Sequence, residues 1–535
     1  MIQLANADIL VIIAYFMVVF LIAFWAILRR RGQQNSGEYF LAGRNIGWFV
    51  VGASLFASNI GSEHLIGLAG SGFSDGVPVA QYEIWAGMML LLLGWVFVPF
   101  YLKSGVSTMP EFLEKRYSPA TRSYLAVISV IGYVLTKISV TIYAGGVVFS
   151  AIGMDFWTGA LLLVVATGIY TIAGGLRAVV YTDTLQMFVL VGGAITVTIF
   201  GLHEIGGWQA LKLQGGPGFF DMWKPASHPN YPWTGILFGA PILGVWYWCT
   251  DQFIVQRVLS AKDISNARKG TLFAGFLKML PLFIFVLPGI IAYVLMQQGS
   301  LHISQPDETL PVLVKTLLPA GLRGLVIAGL FAALMSSLSS VFNSCSTLIT
   351  LDFYKKYRPQ SSEKRLVWVG QISTALLVGF GLLWIPFMKF FSDQLYLYLQ
   401  SVQAYIAPPI AAVFLLGLFF KRLNAKGALS ALWTGFFLGG GRLVAELFKS
   451  SIEPGTLLYF FADVNFLHFA IMLFAVCVLV LTLVSLATTP PDEQQIAQVV
   501  YQKGSLGIRE AWRSREWWLS VLLLAVIIFI WIYFS

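Results

Sequence analysis

The chain has 535 residues, of which 58% are hydrophobic and only 11% are charged, and its mean hydropathy is +0.78. This composition excludes a water-soluble fold and indicates a polytopic membrane protein with one continuous core. The net charge of +9 would suit nucleic acid, but the basic residues lie in short loops between apolar spans. We therefore expect no nucleic-acid partner and a lipid bilayer around the protein.

Runs of about 20 apolar residues between charged or Pro/Gly-rich breaks predict an all-α protein with fourteen transmembrane helices. The predicted spans are 8–28, 46–73, 79–102, 120–150, 158–173, 180–203, 233–255, 270–296, 325–352, 366–388, 393–420, 425–447, 462–488 and 516–535. The three cysteines all fall in these spans, which argues against a disulfide framework. The first span is not a cleavable signal, since its positive charges follow the apolar run.

Lysine and arginine are concentrated in one alternate set of loops, in which we count Arg257 after the seventh span. The positive-inside rule places this set in the cytoplasm, so both termini are expected on the outer face of the cell (inner) membrane. No nucleotide-binding motif is present, so energy for pumping would come from an ion gradient.

The second span is polar in its middle, where a continuous membrane helix would be apolar. Its stretch ASLFASNIGSEHLIGLAG, residues 53–70, contains Ser58, Asn59, Gly61, Ser62, Glu63 and His64. These residues predict a helix that is broken inside the membrane, and in transporters such helices hold substrate and coupling ions.

Among the charged residues inside the spans, Glu83, Asp183 and Lys137 allow more than one interpretation. Glu83 is either a hydrogen-bonding group for a polyol or an interfacial acid. Asp183 pairs either with a bound cation or with Arg177 at the membrane face. Lys278 has no obvious partner in sequence and is a functional candidate for that reason. Lys137 snorkels or pairs with a carboxylate, and we assign it no function.

The ninth span contains MSSLSSVFNSCST, in which one helical face carries Ser336, Ser339, Ser340 and Ser344. Their hydroxyls suit a small hard cation, although this pattern taken alone favours small-residue helix packing. In the eleventh span Gln400 and Gln403 precede the pair Pro408 and Pro409, which predicts a second interrupted helix.

Spans two to six and seven to eleven each contain five helices, and an odd-numbered unit repeated in tandem inserts with opposite topology. This permits a five-plus-five inverted repeat, with sites at its centre. The expected divisions are 1–45 for an extra helix and cytoplasmic loop, 46–203 for the first repeat, 204–232 for an external loop, 233–420 for the second repeat and 421–535 for three final helices.

Several motifs together resemble the sodium/glucose cotransporters of the sodium/solute symporter family. They are ASNIGSEHLIGLAGSG, TMPEFLEKR, GGLRAVVYTDTLQ, WYWCTDQFIVQR, MSSLSS and LQSVQAYIAPPIAAVF, in this order. The resemblance implies a LeuT-like inverted-repeat core, Na⁺ as the coupling ion, no organic cofactor, no enzymatic activity and a functional monomer.

The resemblance also implies roles for individual residues. The Na⁺ site would comprise Ala57, Ile60, Ala333, Ser336 and Ser337. A second Na⁺ site would use Asp183, Ser339 and Ser340. Sugar would be held by Asn59, His64, Glu83, Tyr247, Trp248, Lys278 and Gln400, and Leu68, Tyr247 and Tyr396 would act as gates.

Four positions depart from relatives of this family. Gly244 and Ala86 stand where a bacterial galactose carrier has asparagine and serine, and Thr141 and Leu397 replace aspartates of mammalian glucose carriers. The preferred sugar is therefore open. We expect a sodium-coupled importer of a glucose- or galactose-like monosaccharide that works by alternating access. The alternatives are a symporter of myo-inositol or another small polar solute, a channel and, least favoured, a membrane enzyme.

Overall fold

The protein was examined as a computed structural model that describes residues 4–29, 35–61, 63–388, 395–502, 512 and 514–535. Within these ranges the secondary structure is helical, with two isolated β-bridges and no extended strand. Eleven helices are long and apolar enough to cross a membrane. The side chains of residues 63, 135, 147, 151, 384–388, 395–399 and 447 also lie outside the description.

The helices are numbered in chain order. The first eight are α1 (Asn6–Arg29), α2 (Trp48–Asn59), α3 (Glu63–Leu68 and Ala69–Asp75), α4 (Val77–Ser104), α5 (Pro119–Ser150), α6 (Phe156–Glu204), α7 (Trp233–Phe238, Ala240–Gly244 and Val245–Thr250) and α8 (Gln252–Leu259). The others are α9 (Ile264–Gln297), α10 (Leu322–Tyr357), α11 (Glu363–Met388), α12 (Leu395–Phe419), α13 (Ala425–Leu447), α14 (Phe466–Ala487) and α15 (Arg515–Tyr533).

Helix α6 joins two predicted spans across a sharp corner at Gly175. The φ of this residue is 58° and its ψ is −157°, a conformation that is open essentially only to glycine. A Cβ atom there would lie 2.5 Å from the carbonyl oxygen of Tyr39. The boundary between the predicted spans 158–173 and 180–203 therefore corresponds to the corner at Gly175.

The predicted interruption at Pro408 and Pro409 is wrong, because α12 continues through both prolines. The neighbouring helix α13 approaches closely at this level. A Cβ at Gly435 would lie 2.4 Å from the Pro409 ring, and one at Gly439 would lie 2.3 Å from the Tyr405 carbonyl oxygen. Packing against a glycine-lined neighbour allows a membrane helix to retain its prolines.

Helix α10 lies at the centre of the fold and is buried along most of its length. It packs along α6, and α2 packs against α9, α6 and α10. At the periphery, α1 and α15 expose large apolar side chains such as Leu10, Leu21, Phe529 and Ile532. An apolar exterior around a polar centre is the arrangement that a bilayer requires.

Asp263, in the loop before α9, caps that helix by accepting a hydrogen bond from the Asn266 amide at 2.7 Å. This bond and a second one from the Asn266 side chain lower the pKa of the Asp263 carboxyl.

Candidate functional site

The break after α2 leaves backbone carbonyl groups without their helical partners. The Gly61 amide donates to His64 Nδ1 at 3.4 Å, and the His64 amide donates to the Gly61 oxygen at 3.1 Å. In a continuous helix these two amides would bond to the carbonyls of Ala57 and Ile60. The break therefore frees two oxygens at the negative end of a helix dipole, where a cation is favoured.

Asp183 forms the centre of a fully buried group that we call the serine cluster (Ser54, Ser58, Asp183, Arg257, Ser336 and Ser340). The carboxylate accepts hydrogen bonds from Ser54 at 2.5 Å, from Ser58 at 3.0 Å and from Ser336 at 2.6 Å. The hydroxyl of Ser340 donates to that of Ser58 at 2.9 Å. The cluster thus joins α2, α6 and α10 through one carboxylate.

Two expectations for this region are corrected. Arg177 pairs with Glu38 at 2.5 Å and not with Asp183. Arg257, which we had placed in a loop, is completely buried in α8. Its Nε donates to Ser58 at 2.7 Å, and its Nη2 lies 4.0 Å from the Asp183 carboxylate. A buried arginine is tolerated here because the carboxylate offsets its charge.

The other residues expected at the ion sites lie around the same cluster. Ser337 donates to the Ser58 carbonyl at 3.2 Å, whereas Ser339 bonds back to its own helix at the Ser336 carbonyl, 3.1 Å away. Ala57, Ile60 and Ala333 are buried, and Ala333 lies within the unbroken first part of α10.

The second helix break lies between α7 and α8. Asp251 is extended, with a φ of −76° and a ψ of 128°, and its carboxylate caps α8 by accepting from the Phe253 amide at 3.2 Å. The hydroxyl of Tyr101 donates to the Cys249 carbonyl, 2.6 Å away. In sequence this break is marked by the polar run Thr250, Asp251 and Gln252.

A polar cavity of about 640 Å³ opens beside the two breaks. Its lining residues are Asn59, His64, Tyr82, Glu83, Trp85, Ala86, Lys137, Ala240, Leu243, Gly244, Tyr247, Trp248, Gln400 and Gln403. Six of the seven residues that we expected to hold sugar therefore line the same cavity. Two of the departures from known relatives, Ala86 and Gly244, line it as well, so these differences in sequence fall on the cavity wall.

Glu83 is buried between two basic groups. Lys278 donates to its Oε2 atom, and His64 Nε2 lies 3.3 Å from its Oε1 atom. Lys278 lies behind Glu83 and not on the cavity wall, and its ammonium lies 5.3 Å from the Trp248 ring centroid. The partner that Lys278 lacked in sequence is therefore a carboxylate on α4, and Glu83 is not interfacial.

Tyr247 is held by two donors from different helices. Asn59 Nδ2 and Lys137 Nζ each donate to its hydroxyl over 2.9 Å. The Asn59 Oδ1 atom is buried without a hydrogen-bond partner in the described structure. An unpaired buried acceptor is costly, so this oxygen is a candidate acceptor for a hydrogen bond from a ligand.

A second, mainly apolar cavity of about 750 Å³ adjoins the polar cavity. Its lining includes Thr141, Trp246, Ser337 and Ile410, and it shares Lys137 and Gln403 with the polar cavity. Lys137 and Gln403 thus border both cavities, and Ser337 borders the apolar one.

Of the three predicted gate residues, the side chains of Leu68 and Tyr247 are described. Leu68 is fully buried in the first part of α3. The side chains of Tyr396, Leu397 and Glu63 lie outside the described side chains. No position beside the cavity can therefore be assigned to them.

Sequence reasoning left several residues out of the site. Tyr82, Trp85, Lys137 and Gln403 line the polar cavity, and Ser54, Ser58 and Arg257 surround Asp183. For Gln403 a signal existed, since it lies one helical turn after Gln400. Arg257 looked like a loop residue because it lies near the end of an apolar run.

The fold and the site define a membrane transporter, in which helices broken within the core line a polar cavity beside freed carbonyls. The profile of the sodium:solute symporter family matches residues 39–435, and the chain belongs to this family.

Two groups of relatives are similar over most of the chain. Rabbit (Oryctolagus cuniculus) sodium/glucose cotransporter 1 is 40% identical over 528 residues, covering 91% of this chain and 80% of the relative. The dog (Canis lupus familiaris) sodium/myo-inositol cotransporter is 40% identical over 559 residues, covering 96% and 78%.

Two solved structures share the fold. A Na⁺-coupled sialic acid symporter in a substrate-bound outward-open state superposes with a TM-score of 0.77 at 22% identity, covering 91% of this chain and 99% of the other. A nucleobase-cation-symport-1 family transporter in a closed conformation gives a TM-score of 0.56 at 14% identity, covering 86% and 97%.

Proposed function

We propose that the protein is a sodium-coupled symporter that imports a glucose- or galactose-like monosaccharide by alternating access. The observation that carries this proposal is the position of the α2 break between two different environments. Ser58 belongs to the serine cluster, whereas its neighbour Asn59 lines the polar cavity. One interrupted helix can thus contact an ion and a polar solute at the same time.

The proposed Na⁺ site uses the carbonyls of Ala57, Ile60 and Ala333 with the hydroxyls of Ser336 and Ser337. Ser337, in the hydroxyl-rich stretch of α10, already donates a hydrogen bond to the Ser58 carbonyl, which lies between Ala57 and Ile60 in the chain. Neutral oxygen ligands suit Na⁺, a hard cation that loses its water more readily than a divalent ion. Sodium bound here would hold α2 against α10.

A second Na⁺ site at Asp183, Ser339 and Ser340 forms part of the proposal. Asp183 is a completely buried carboxyl group that already accepts a hydrogen bond from Ser336, a ligand of the proposed first site. One sodium or two would therefore act on the same carboxylate. Arg257, 4.0 Å away, would compete with a second ion for this charge.

The proposed solute site combines aromatic faces with polar groups, as sugar-binding sites commonly do. Tyr247 and Trp248 offer ring surface to C–H groups, and Asn59, His64, Glu83 and Gln400 offer hydrogen bonds. Lys278 acts through Glu83, which it orients. Leu68, Tyr247 and Tyr396 would act as gates.

The remaining parts of the proposal concern architecture. We infer fourteen transmembrane helices, counting α6 as two spans and each broken helix as one, with a five-plus-five inverted repeat over 46–203 and 233–420. The segment 1–45 would precede the repeats, 204–232 would connect them outside, and 421–535 would follow them. Both termini would face outward from the cell (inner) membrane. A monomer without organic cofactor would suffice, and no enzymatic activity is proposed.

The energy that sodium supplies sets the largest concentration ratio of solute that the transporter can maintain across the membrane. At a membrane potential of 100 mV, each sodium ion supplies ~2.3 kcal/mol. A tenfold sodium gradient adds ~1.4 kcal/mol. One ion therefore supports roughly 500-fold accumulation of a neutral solute, and two ions support roughly the square of that.

Reconstitution into liposomes tests the proposal. An inward sodium gradient should drive accumulation of labelled glucose or galactose above its external concentration, and replacing sodium with potassium should remove it. Protein-free liposomes and the variant Ser337→Ala are the controls. Uptake that is the same in sodium and potassium would refute the proposal, and flux without accumulation would indicate a channel.

The second candidate, a sodium-coupled symporter of myo-inositol or another small polar solute, is favoured by the equally similar inositol relatives. Ala86 and Gly244 are small residues on the cavity wall, and they do not distinguish the ring of a monosaccharide from that of myo-inositol. Competition between labelled galactose and unlabelled glucose, myo-inositol, proline and an organic acid would rank these solutes. Stronger competition by inositol than by glucose would favour the second candidate.

A further inference from the structure

Lys137 is a charged group of the polar cavity that the proposed function does not use. It lies within α5, lines the cavity wall and is only half-buried. Within the described part of the chain its ammonium contacts the Tyr247 hydroxyl at 2.9 Å and two aromatic faces, but no carboxylate. The ring centroids of Tyr247 and Phe253 lie 4.7 and 4.5 Å away. Because an ammonium has three donors, a single phenolic acceptor leaves donors for a ligand.

The charges around the polar cavity do not cancel. Among the described lining residues the carboxylate is that of Glu83, which is already paired with Lys278 and lies 3.3 Å from His64 Nε2. Thr141, one helical turn after Lys137, is uncharged. The wall therefore carries a positive charge at Lys137 that no described carboxylate neutralises. A cleft whose charge has one sign raises the local concentration of solutes of the opposite sign.

The neighbours of Lys137 suit a sugar ring. Asn59 Nδ2 also donates to the Tyr247 hydroxyl over 2.9 Å, so the two donor nitrogens lie no farther apart than twice that distance. The Asn59 Oδ1 atom has no hydrogen-bond partner in the described structure and can accept from a ring hydroxyl. Tyr247 and Trp248 offer aromatic faces to C–H groups. An acceptor and a cation this close together can contact one monosaccharide at the same time.

We propose that the polar cavity takes a monosaccharide that carries a carboxylate, a hexuronate, and that the Lys137 ammonium binds this carboxylate. The inference rests on the proposed sodium symport and narrows its substrate class to the sugar acids related to glucose and galactose. The carboxylate loses water when it enters the cavity, and a charge-assisted hydrogen bond from Lys137 offsets that cost. A neutral sugar leaves the ammonium without a counter-charge and therefore binds more weakly.

The test compares solutes that differ only at carbon 6 of the sugar. Proteoliposomes with an inward sodium gradient take up labelled D-galactose, and unlabelled D-galacturonate, its methyl ester and D-galactose compete with it. The ester has nearly the size of the acid but lacks its charge. We expect galacturonate to compete at a concentration roughly tenfold lower than either neutral compound, the factor associated with one hydrogen bond to a charged group. Labelled galacturonate should itself accumulate in a sodium-dependent way.

Variants of Lys137 assign the preference to its charge. Lys137→Met keeps the aliphatic stem but removes the charge and the donors, so galacturonate and galactose should compete equally. Lys137→Arg, which retains a cation and donors, should keep the preference for the acid. A purely structural role, through the position of Tyr247, would weaken both solutes together and leave their ratio unchanged. The control is Lys212→Met, which removes a lysine that lies 5.2 Å from the Tyr533 ring centroid, and it should leave the ratio as in wild type.

Competition by galacturonate no stronger than by galactose in wild type would overturn the inference and leave the proposed function standing. A preference for galacturonate that persists in Lys137→Met would overturn it as well. If that variant does not fold, Lys137→Gln, which keeps a donor without the charge, replaces it under the same criterion. Uptake of galactose and galacturonate that does not depend on sodium would instead refute the proposed function.

Discussion

Asn59 Nδ2 donates a hydrogen bond to the Tyr247 hydroxyl over 2.9 Å, and this bond joins the two helices that are interrupted in the core. Asn59 is the last residue of α2, and Tyr247 lies near the end of α7. Sodium at the α2 break and solute in the polar cavity would therefore act on the same pair of residues. By linkage, each ligand then raises the affinity for the other by the same factor.

This pairing predicts a loss of coupling in Asn59→Ala. Solute affinity should rise about tenfold on addition of saturating sodium in wild type, a typical coupling, and should hardly change in the variant. Equilibrium binding of labelled solute with and without sodium measures the factor. Gln298→Ala, which removes an exposed amide far along the chain from the site, is the control. If the variant keeps the wild-type factor, the ligands are coupled by another route.

Ser337→Ala should remove sodium dependence. The hydroxyl is a proposed sodium ligand and already connects α10 to the Ser58 carbonyl. Loss of about 1.4 kcal/mol of binding free energy would lower apparent sodium affinity by tenfold, and we expect a larger effect. Uptake measured over a range of sodium concentrations tests this. Ser373→Ala is the matched control, because Ser373 bonds only to its own helix at 2.8 Å. Equal sodium dependence in the two variants would exclude Ser337 from the site.

Asp183→Asn separates one sodium site from two. Asparagine keeps the shape and one acceptor oxygen, so it can accept from Ser54 or from Ser336 and must donate at the other position, and it cannot supply charge to a second ion. The Hill coefficient for sodium should fall from about two to about one, the behaviour of a carrier that has lost one of two coupled sites. Direct measurement of the sodium-to-solute ratio provides the same information. A ratio unchanged by both Asp183→Asn and Ser340→Ala would refute the second site.

Variants of the buried pair of Glu83 and Lys278 should separate the effect of the pair on protein stability from its effect on solute binding. Lys278→Met leaves the Glu83 carboxylate facing only His64, and breaking such a pair typically costs about 3–5 kcal/mol. The double variant Glu83→Gln and Lys278→Met removes both charges and should recover much of the lost thermal stability without restoring solute binding. Thermal unfolding in detergent and solute binding measure the two effects. Recovery of both would show that the pair has only a structural role.

The sequence by itself determined the class of protein and the location of the first helix break. Apolar runs of about 20 residues are a direct consequence of bilayer thickness, so 58% hydrophobic residues in such runs leave no soluble alternative. Glycines and polar side chains at 58–64 cannot continue a membrane helix without cost, and the structure ends α2 at Asn59. The corner at Gly175 was predictable for the same local reason.

Only the tertiary structure decided which residues meet. Pro408 and Pro409 do not interrupt α12, where α13 approaches with Gly435 against Pro409, whereas Asp251 caps a new helix that starts at Gln252. The pairing of buried charges also depends on long-range contacts, since Lys278 donates a hydrogen bond to Glu83, which lies 195 positions earlier in the chain. Arg257 proved to be buried beside Asp183 and not in a loop. Local sequence sets where a helix can break, but the cost of a buried charge depends on its neighbours in space, and those come from distant parts of the chain.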